Sequence, residues 1–304
     1  MAKSTGSGLK DSVSPVPGAA GRRFLVPAVV LAFLVGGVLA WLVFRQASAP
    51  VGGYRILATH PHKSQKTYTQ GLEVVEGLLF ESTGQNGEAD WRLVDLASGS
   101  ILAIPGSNHE HRYGLSAEHF GEGITVWRKQ KLIQLTWRSR VGFTWDVTPI
   151  FDGLKRVTAQ PQKFSYPTDV KEGWGLTQDA TRLIMSTGDP DGRLHFLDPE
   201  TLERVGTLVV KDGGKPVERL NELEHVDGYV YANVYQTNHI VKIDLKTGEV
   251  VMRYDMKGLL TKDAASKLKP DEVLNGIAYD ATRKVFLVTG KNWPHLFEVE
   301  FTNP

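Results

Sequence analysis

A passage of one design recurs five times along this chain, and that recurrence restricts the fold more than any other feature. Each copy holds a polar or aromatic residue, usually beside glycine, then a short apolar run, a turn and a second apolar run. The copies are QGLEVVEGLLFES from Gln70, EGITVWRKQKLIQLTW from Glu122, WGLTQDATRLIMSTG from Trp174, ELEHVDGYVYANV from Glu222 and NGIAYDATRKVFLVTG from Asn275. They follow one another at steps of 52, 52, 48 and 53 residues. A period of that size is the mark of a repeat architecture. Glu76-Gly77, Asp179-Ala180, Asp227-Gly228 and Asp280-Ala281 stand between apolar runs, where turn residues belong. A second hairpin follows in several copies: VDLASGSIL around Asp95, LDPETLERV around Asp198 and IDLKTGEVV around Asp244. The Asp-x-x-Ser/Thr-Gly form in two of them suits a turn that ends in a left-handed glycine. Short strands in fours, repeated five times, predict an all-β, five-bladed β-propeller. A β-sandwich also supplies many strands, but it gives no reason for the period. The stretch GLLTKDAASKLKPDE, from Gly258 to Glu272, breaks the pattern and predicts a helical excursion on the rim, with Pro270 near its end.

In such a ring the inner strand of every blade starts at the same end of a central channel. Gln70, Glu122, Trp174, Glu222 with its neighbour Asn221, and Asn275 hold the equivalent place, so closure gathers them at one mouth. Gly71, Gly121, Gly123, Gly175 and Gly276 let backbones crowd there. Partial burial raises a carboxyl pKa toward working pH, which suits Glu122 to acid–base chemistry. The plain structural alternative is a carboxylate that accepts backbone hydrogen bonds at a crowded strand start. Two His pairs, His109 with His111 and His60 with His62, have a spacing that puts both rings on one strand face, but neither has a third ligand. No nucleophile elbow and no phosphate loop are present. Trp91, Trp127, Trp145 and Trp293 read as packing between blades.

The N-terminus is a separate matter. Residues 1–21 are rich in Gly, Ser, Ala and Pro and read as a disordered tail. Residues 22–45 read as a transmembrane anchor or signal segment. Phe24 to Phe44 carries no charge, and as a helix at ~1.5 Å per residue it spans ~31 Å, close to the ~30 Å bilayer core. Ala47-Ser48-Ala49 has the form of a signal cleavage site, but the length of the run and Pro50 favour an uncleaved membrane helix. Lys3, Lys10, Arg22 and Arg23 precede the span, and Arg45 follows it closely. The positive-inside rule then puts the rest of the chain outside the cytoplasm, in the periplasm or extracellular space, with secretion after cleavage as the alternative. Residues 46–53 read as a linker and 54–304 as the propeller domain. A formal charge of +1 argues against nucleic acid as a partner. The absence of cysteine excludes disulfides, thiol catalysis and a lipid-modified N-terminal cysteine. Nothing signals an oligomer, so a monomer is expected.

The blocks YTQGLE, ESTG, FGEGI, QLTW, GWGLT, FLDP, LNELE, YANV, LNGIAYD and VTGKNWPHLFEV, in this order over residues 54–301, resemble the plant-type glutaminyl cyclases (glutamine cyclotransferases) of plants and bacteria. The resemblance implies a five-bladed propeller that converts N-terminal glutamine of peptides and proteins to pyroglutamate with release of ammonia. It implies no metal or other cofactor, and it leaves a structural calcium ion open. By the same resemblance Glu122 is the proton shuttle, and Lys291 stabilises negative charge on oxygen or orients Glu122. Gln70 binds the substrate's amide or amine, Trp137 and Trp174 wall the pocket, and Asn221 hydrogen-bonds the substrate. Tyr68 and Tyr235 stand where the family usually has Phe and Trp and keep an aromatic face. Glu222 and Asn275 support this shell. The rivals are a non-catalytic, membrane-tethered propeller that binds peptide N-termini at the same mouth, and a propeller hydrolase or lactonase. The latter needs a metal-binding ring of carboxylates and Asn, and the mouth is too aromatic and too poor in acids for it.

Overall fold

The computed structural model describes residues 47–63, 67–167 and 169–304, so the tail at 1–21 and the apolar segment at 22–45 lie outside the described residues. Among the described residues no helix is long and apolar enough to cross a membrane. Residues 46–304 form one compact unit of β-strands with few helices.

The turns form where the sequence places them. Glu76 and Gly77, and Asp227 and Gly228, have positive φ at both positions, the hairpin turn whose twist matches its strands. Each of the five repeats begins with an inner strand: Thr69–Val75, Gly121–Trp127, Leu176–Gln178, Leu220–Val226 and Leu274–Asp280. Each pairs antiparallel with the strand after it, and the ladders continue outward. Gly121–Trp127 is buried at every position, because an inner strand has neighbours on both faces and no polar side to present. Each inner strand touches the one before and the one after, and the fifth touches the first.

Glycine makes that approach feasible. A Cβ on Gly71 would lie 2.6 Å from the Ile124 nitrogen, one on Gly123 2.5 Å from the Leu176 nitrogen, and one on Gly175 2.0 Å from the Asn221 carbonyl oxygen. The fourth repeat has Glu222 in the glycine place. Its carboxyl group reaches across the channel, where Oε1 accepts from the Leu72 N–H at 3.2 Å and Oε2 from the Ile277 N–H at 2.7 Å. Glu73 accepts from Thr125 Oγ1 at 3.0 Å and from the Val126 N–H at 2.6 Å, and Glu224 accepts from the Tyr279 N–H at 2.8 Å. Three buried carboxyl groups thus tie inner strands of different repeats together. They also crowd one another, and burial with mutual repulsion pushes the pKa of Glu222 and Glu224 well up. Burial pushes Glu73 up to about 8, against the bonds from Val126 and Thr125.

Some features depart from the sequence pattern. The strand Val51–Pro61 starts inside the segment read as a linker and pairs antiparallel with His295–Thr302, so the beginning of the chain supplies the outer strand of the last repeat. The outer edge of the first repeat is split between Ser100–Ile101 and Arg112–Gly114, which pair with opposite ends of Asp90–Asp95. The helical excursion is a single turn, Lys262–Ser266, capped by Thr261 Oγ1 accepting from the Ala264 N–H. Pro270 disfavours helical backbone at Lys269, which limits the helix on that side. Trp91 stacks on Tyr113 with ring centroids 4.2 Å apart, and Trp127, Trp145 and Trp293 are buried in the core as expected. The histidine pairs take structural partners. His62 Nε2 lies 3.1 Å from Glu81 Oε1, and His60 Nε2 2.8 Å from Glu298 Oε1. His111 sits between the Tyr113 hydroxyl and the Leu154 carbonyl, whereas His109 is exposed.

The channel carboxyl groups make stability depend on pH. Glu73 keeps its proton up to about pH 8 when folded and to only about 4.5 when unfolded. The folded state therefore holds an extra proton between those values, and the associated stabilisation is lost as pH rises through 8. Calorimetry should show Tm falling as pH is raised from 6 to 9. Glu73→Gln, whose neutral amide can accept from Val126 and donate to Thr125, should make that fall shallower. An unchanged pH dependence in this variant would contradict the assignment.

Candidate active site

The mouth formed by the inner strands is a cavity of about 310 Å³ lined by Tyr68, Gln70, Glu122, Trp137, Trp174, Asn221, Tyr235 and Lys291, with Gln85, Phe120 and Asp271. All the residues expected to catalyse or bind therefore face one space. Asn275 and Glu222 lie beneath it. Gln70, Glu122, Asn221 and Lys291 are each less than 5 % exposed.

A chain of amide hydrogen bonds fixes the carboxyl group. Asn275 Nδ2 donates to Gln70 Oε1 at 3.1 Å and to the Thr69 carbonyl at 3.0 Å. Gln70 Nε2 then donates to Glu122 Oε1 at 3.0 Å. Gln70 thus orients Glu122, and its side chain also lines the cavity where a ligand would sit. Burial raises the Glu122 pKa well above the ordinary carboxyl range. The Lys291 charge opposes that rise and the Glu172 charge adds to it. Burial likewise lowers the Lys291 pKa, opposed by Glu122 and Asp271. Desolvation thus moves the proton affinities of Glu122 and Lys291 toward each other.

A closed collar of side chains rings the pocket. Tyr68 packs edge-on to Phe120 at 6.0 Å between centroids, and Phe120 lies 5.6 Å from Trp137. Glu172 joins Trp137 to Trp174, since its Oε2 accepts from both indole N–H groups, at 2.8 and 3.0 Å. Trp174 meets Tyr235 edge-on at 5.5 Å. Lys291 Nζ closes the circuit, 4.7 Å from the Tyr235 ring centroid and 5.0 Å from that of Tyr68, within cation–π range of both. The Tyr68 hydroxyl donates to Asp271 Oδ2 at 3.0 Å. The collar thus has an anionic bridge between the tryptophans and a cationic bridge between the tyrosines. Arg138 backs the anionic bridge, donating from Nε to Glu172 Oε1 at 3.1 Å while its guanidinium lies over the Trp137 ring.

Asn221 Oδ1 is buried and has no hydrogen-bond partner. An acceptor left unpaired beside an open cavity is a place for a ligand N–H. Glu222 does not reach the cavity, because it occupies the glycine place and points its carboxyl group across the channel. Four contributors were not anticipated: Glu172, Phe120, Asp271 and Gln85. Phe120 stands two residues before Glu122, and Glu172 two before Trp174, so adjacency to a recognised block was the available signal. Among the described residues no group of three or more His, Asp or Glu side chains is placed to hold a metal ion.

The candidate site is thus a buried Glu122 and Lys291 inside an aromatic collar, mounted on an all-β frame. The Glutamine cyclotransferase family profile matches residues 29–301. The chain belongs to the glutamine cyclotransferase family. It is 33 % identical over 250 residues to a Glutaminyl-peptide cyclotransferase of Arabidopsis thaliana, across 81 % of this chain and 70 % of that protein. The crystal structure of a glutaminyl cyclase from Myxococcus xanthus superposes with a TM-score of 0.69 at 33 % identity, covering 84 % of this chain and 99 % of that one.

Glu172 is the residue on which the collar's shape turns. In Glu172→Ala both indole N–H groups lose their acceptor, and ¹⁵N NMR should show the Trp137 and Trp174 indole protons exchanging with water at least tenfold faster. Exchange at the wild-type rate would mean that the carboxylate does not hold the rings.

Proposed function

We infer that this pocket cyclises N-terminal glutamine of peptides and proteins to pyroglutamate, releasing ammonia. The single observation that carries the reading is the buried Glu122, oriented by Gln70 and sharing an aromatic-walled pocket with Lys291. Family membership and the two relatives support the same reaction.

The chemistry uses each group in turn. The substrate's α-amine, with an ordinary pKa near 8, must be neutral to attack. The glutamine side chain must bend so that the amine approaches its own amide carbon. A pocket of about 310 Å³, walled by rings, favours the bent form over the extended one, and that supplies much of the rate in an intramolecular step. As the nitrogen–carbon bond forms, the carbonyl becomes an oxyanion, which Lys291 Nζ stabilises from its place between Tyr68 and Tyr235. Glu122 in its carboxylate form takes a proton from the attacking nitrogen and, now protonated, returns it to the departing nitrogen. The old carbon–nitrogen bond breaks, ammonia leaves, and a five-membered lactam remains. Asn221 Oδ1 accepts from a substrate N–H. Gln70 and Asn275 hold Glu122 in place, and Glu222 holds the inner strands.

We read the five strand sets as the blades of a propeller, an arrangement supported by the cyclic contacts of the inner strands. The region from about residue 54 onward is then the catalytic domain and acts as a monomer. We propose that residues 24–44 anchor it to a membrane with the pocket outside the cytoplasm, on the charge pattern that flanks them. No metal takes part in the proposed steps, and a structural ion is left to direct analysis.

The test is turnover of a Gln-initiated peptide, followed by ammonia release and the loss of about 17 Da from the peptide. Wild type should be active with and without chelator. Glu122→Gln should lose about 10²–10⁴-fold in kcat, the usual worth of a general acid–base group. Lys291→Met should lose about 10²–10³-fold, as for a lost oxyanion donor. A folded wild type that releases no ammonia would overturn the reading, and loss of activity to chelator would point to a metal-dependent route instead.

A further inference from the structure

A second cavity, of about 630 Å³, adjoins the pocket. Trp174 lines both, and Glu172, which holds the Trp174 indole, also lines the second. The loop from Thr187 to Arg193 borders it, and Gly188 packs against the shared ring. A Cβ on Gly188, whose φ is +64°, would lie 2.3 Å from the Trp174 ring. The cavity is also lined by His195, on the strand Arg193–Leu197. This side chain is 4 % exposed, and neither ring nitrogen has a hydrogen-bond partner. The Asp189 carboxylate is 3.9 Å from Nε2, too far for a hydrogen bond.

An imidazole buried without partners costs stability unless a ligand supplies them. Its surroundings indicate the class of ligand. Arg193 is paired with Asp191, Arg204 with Asp169 at 2.6 Å, and Asp189 accepts from Thr187 Oγ1 at 3.1 Å. Those charges are engaged by each other, and Lys171 adds one further cation to the rim, so a mostly neutral ligand such as peptide backbone fits better than a strongly ionic one. Burial and the Arg204 charge favour the neutral ring, against Asp189 and Asp169. A neutral imidazole offers one donor and one acceptor, the complement of a peptide group. A glutamine that cyclises in the first pocket remains joined through its α-carbonyl to the rest of its chain, and that chain must leave past a wall.

We propose that the second cavity is the subsite for the residues that follow the cyclising glutamine, with His195 hydrogen-bonding a peptide group of an extended substrate. This rests on the reaction inferred above. The ligand is peptide backbone, and the side chains that follow it face the paired charges of the rim.

Two substrates separate the subsite from the chemistry. Glutaminamide fills only the first pocket, whereas a Gln-Ala-Ala tripeptide amide extends into the second. In the full, detergent-solubilised chain, His195→Leu should lower kcat/KM for the tripeptide about tenfold, roughly the loss of one hydrogen bond. It should leave glutaminamide within about twofold, and His195→Gln, which keeps a donor and an acceptor, should recover part of the loss. Thr207→Phe fills the cavity from the neighbouring strand and should produce the same selective loss, so the test stands if His195→Leu does not fold. Equal losses on both substrates, or none on the tripeptide, would overturn the subsite. If wild type turns over neither substrate, the cyclase reading fails and the subsite with it.

Discussion

Taking Glu122 out of water while leaving it open to a small cavity is the constraint that organises this molecule. A carboxyl group in such a place favours its protonated form, and the nearby Lys291 amine favours its neutral form, so burial brings their proton affinities closer together. That condition needs a dry wall, a fixed carboxyl orientation and one compensating charge. The aromatic collar provides the first, the amide chain from Asn275 through Gln70 the second, and Lys291 the third. Each comes from a different repeat or from a loop between repeats, so none of them is useful until the ring closes.

Closure relies on the same chemistry put to another use. Glu73, Glu222 and Glu224 are as deeply buried as Glu122 and their pKa values are also raised. The difference lies in their partners. The channel carboxyl groups accept backbone N–H groups from neighbouring inner strands, so they act as ties. The bond to Glu122 comes from a side-chain amide, and its other surroundings are rings and open space. Burial depth alone does not separate Glu122 from the channel carboxyl groups; the identity of the donors does.

Much of this was legible in the sequence because it repeats. The fifty-residue period, the turn residues and the equivalent places of Gln70, Glu122, Trp174 and Asn275 follow from pattern. The fourth repeat shows the limit. Glu222 aligns with the mouth by sequence, yet it fills the glycine place, and its neighbour Asn221 faces the cavity instead. The closing strand Val51–Pro61 has no period to betray it, since its partner His295–Thr302 lies at the other end of the chain. Glu172, Asp271 and Gln85 stand outside the inner strands, and loop residues carry no phase from which a position could be deduced. Which groups the Gln70 amide bonds is likewise set by neighbours from two other repeats.

The proton affinity of Glu122 is the quantity to measure. With ¹³C-labelled glutamate and the resonance assigned by its loss in Glu122→Gln, the carboxyl carbon should report a protonated group well above the pH at which exposed glutamates ionise. A carboxyl group that titrates with the exposed glutamates, near 4.5, would contradict the desolvated site on which this mechanism depends.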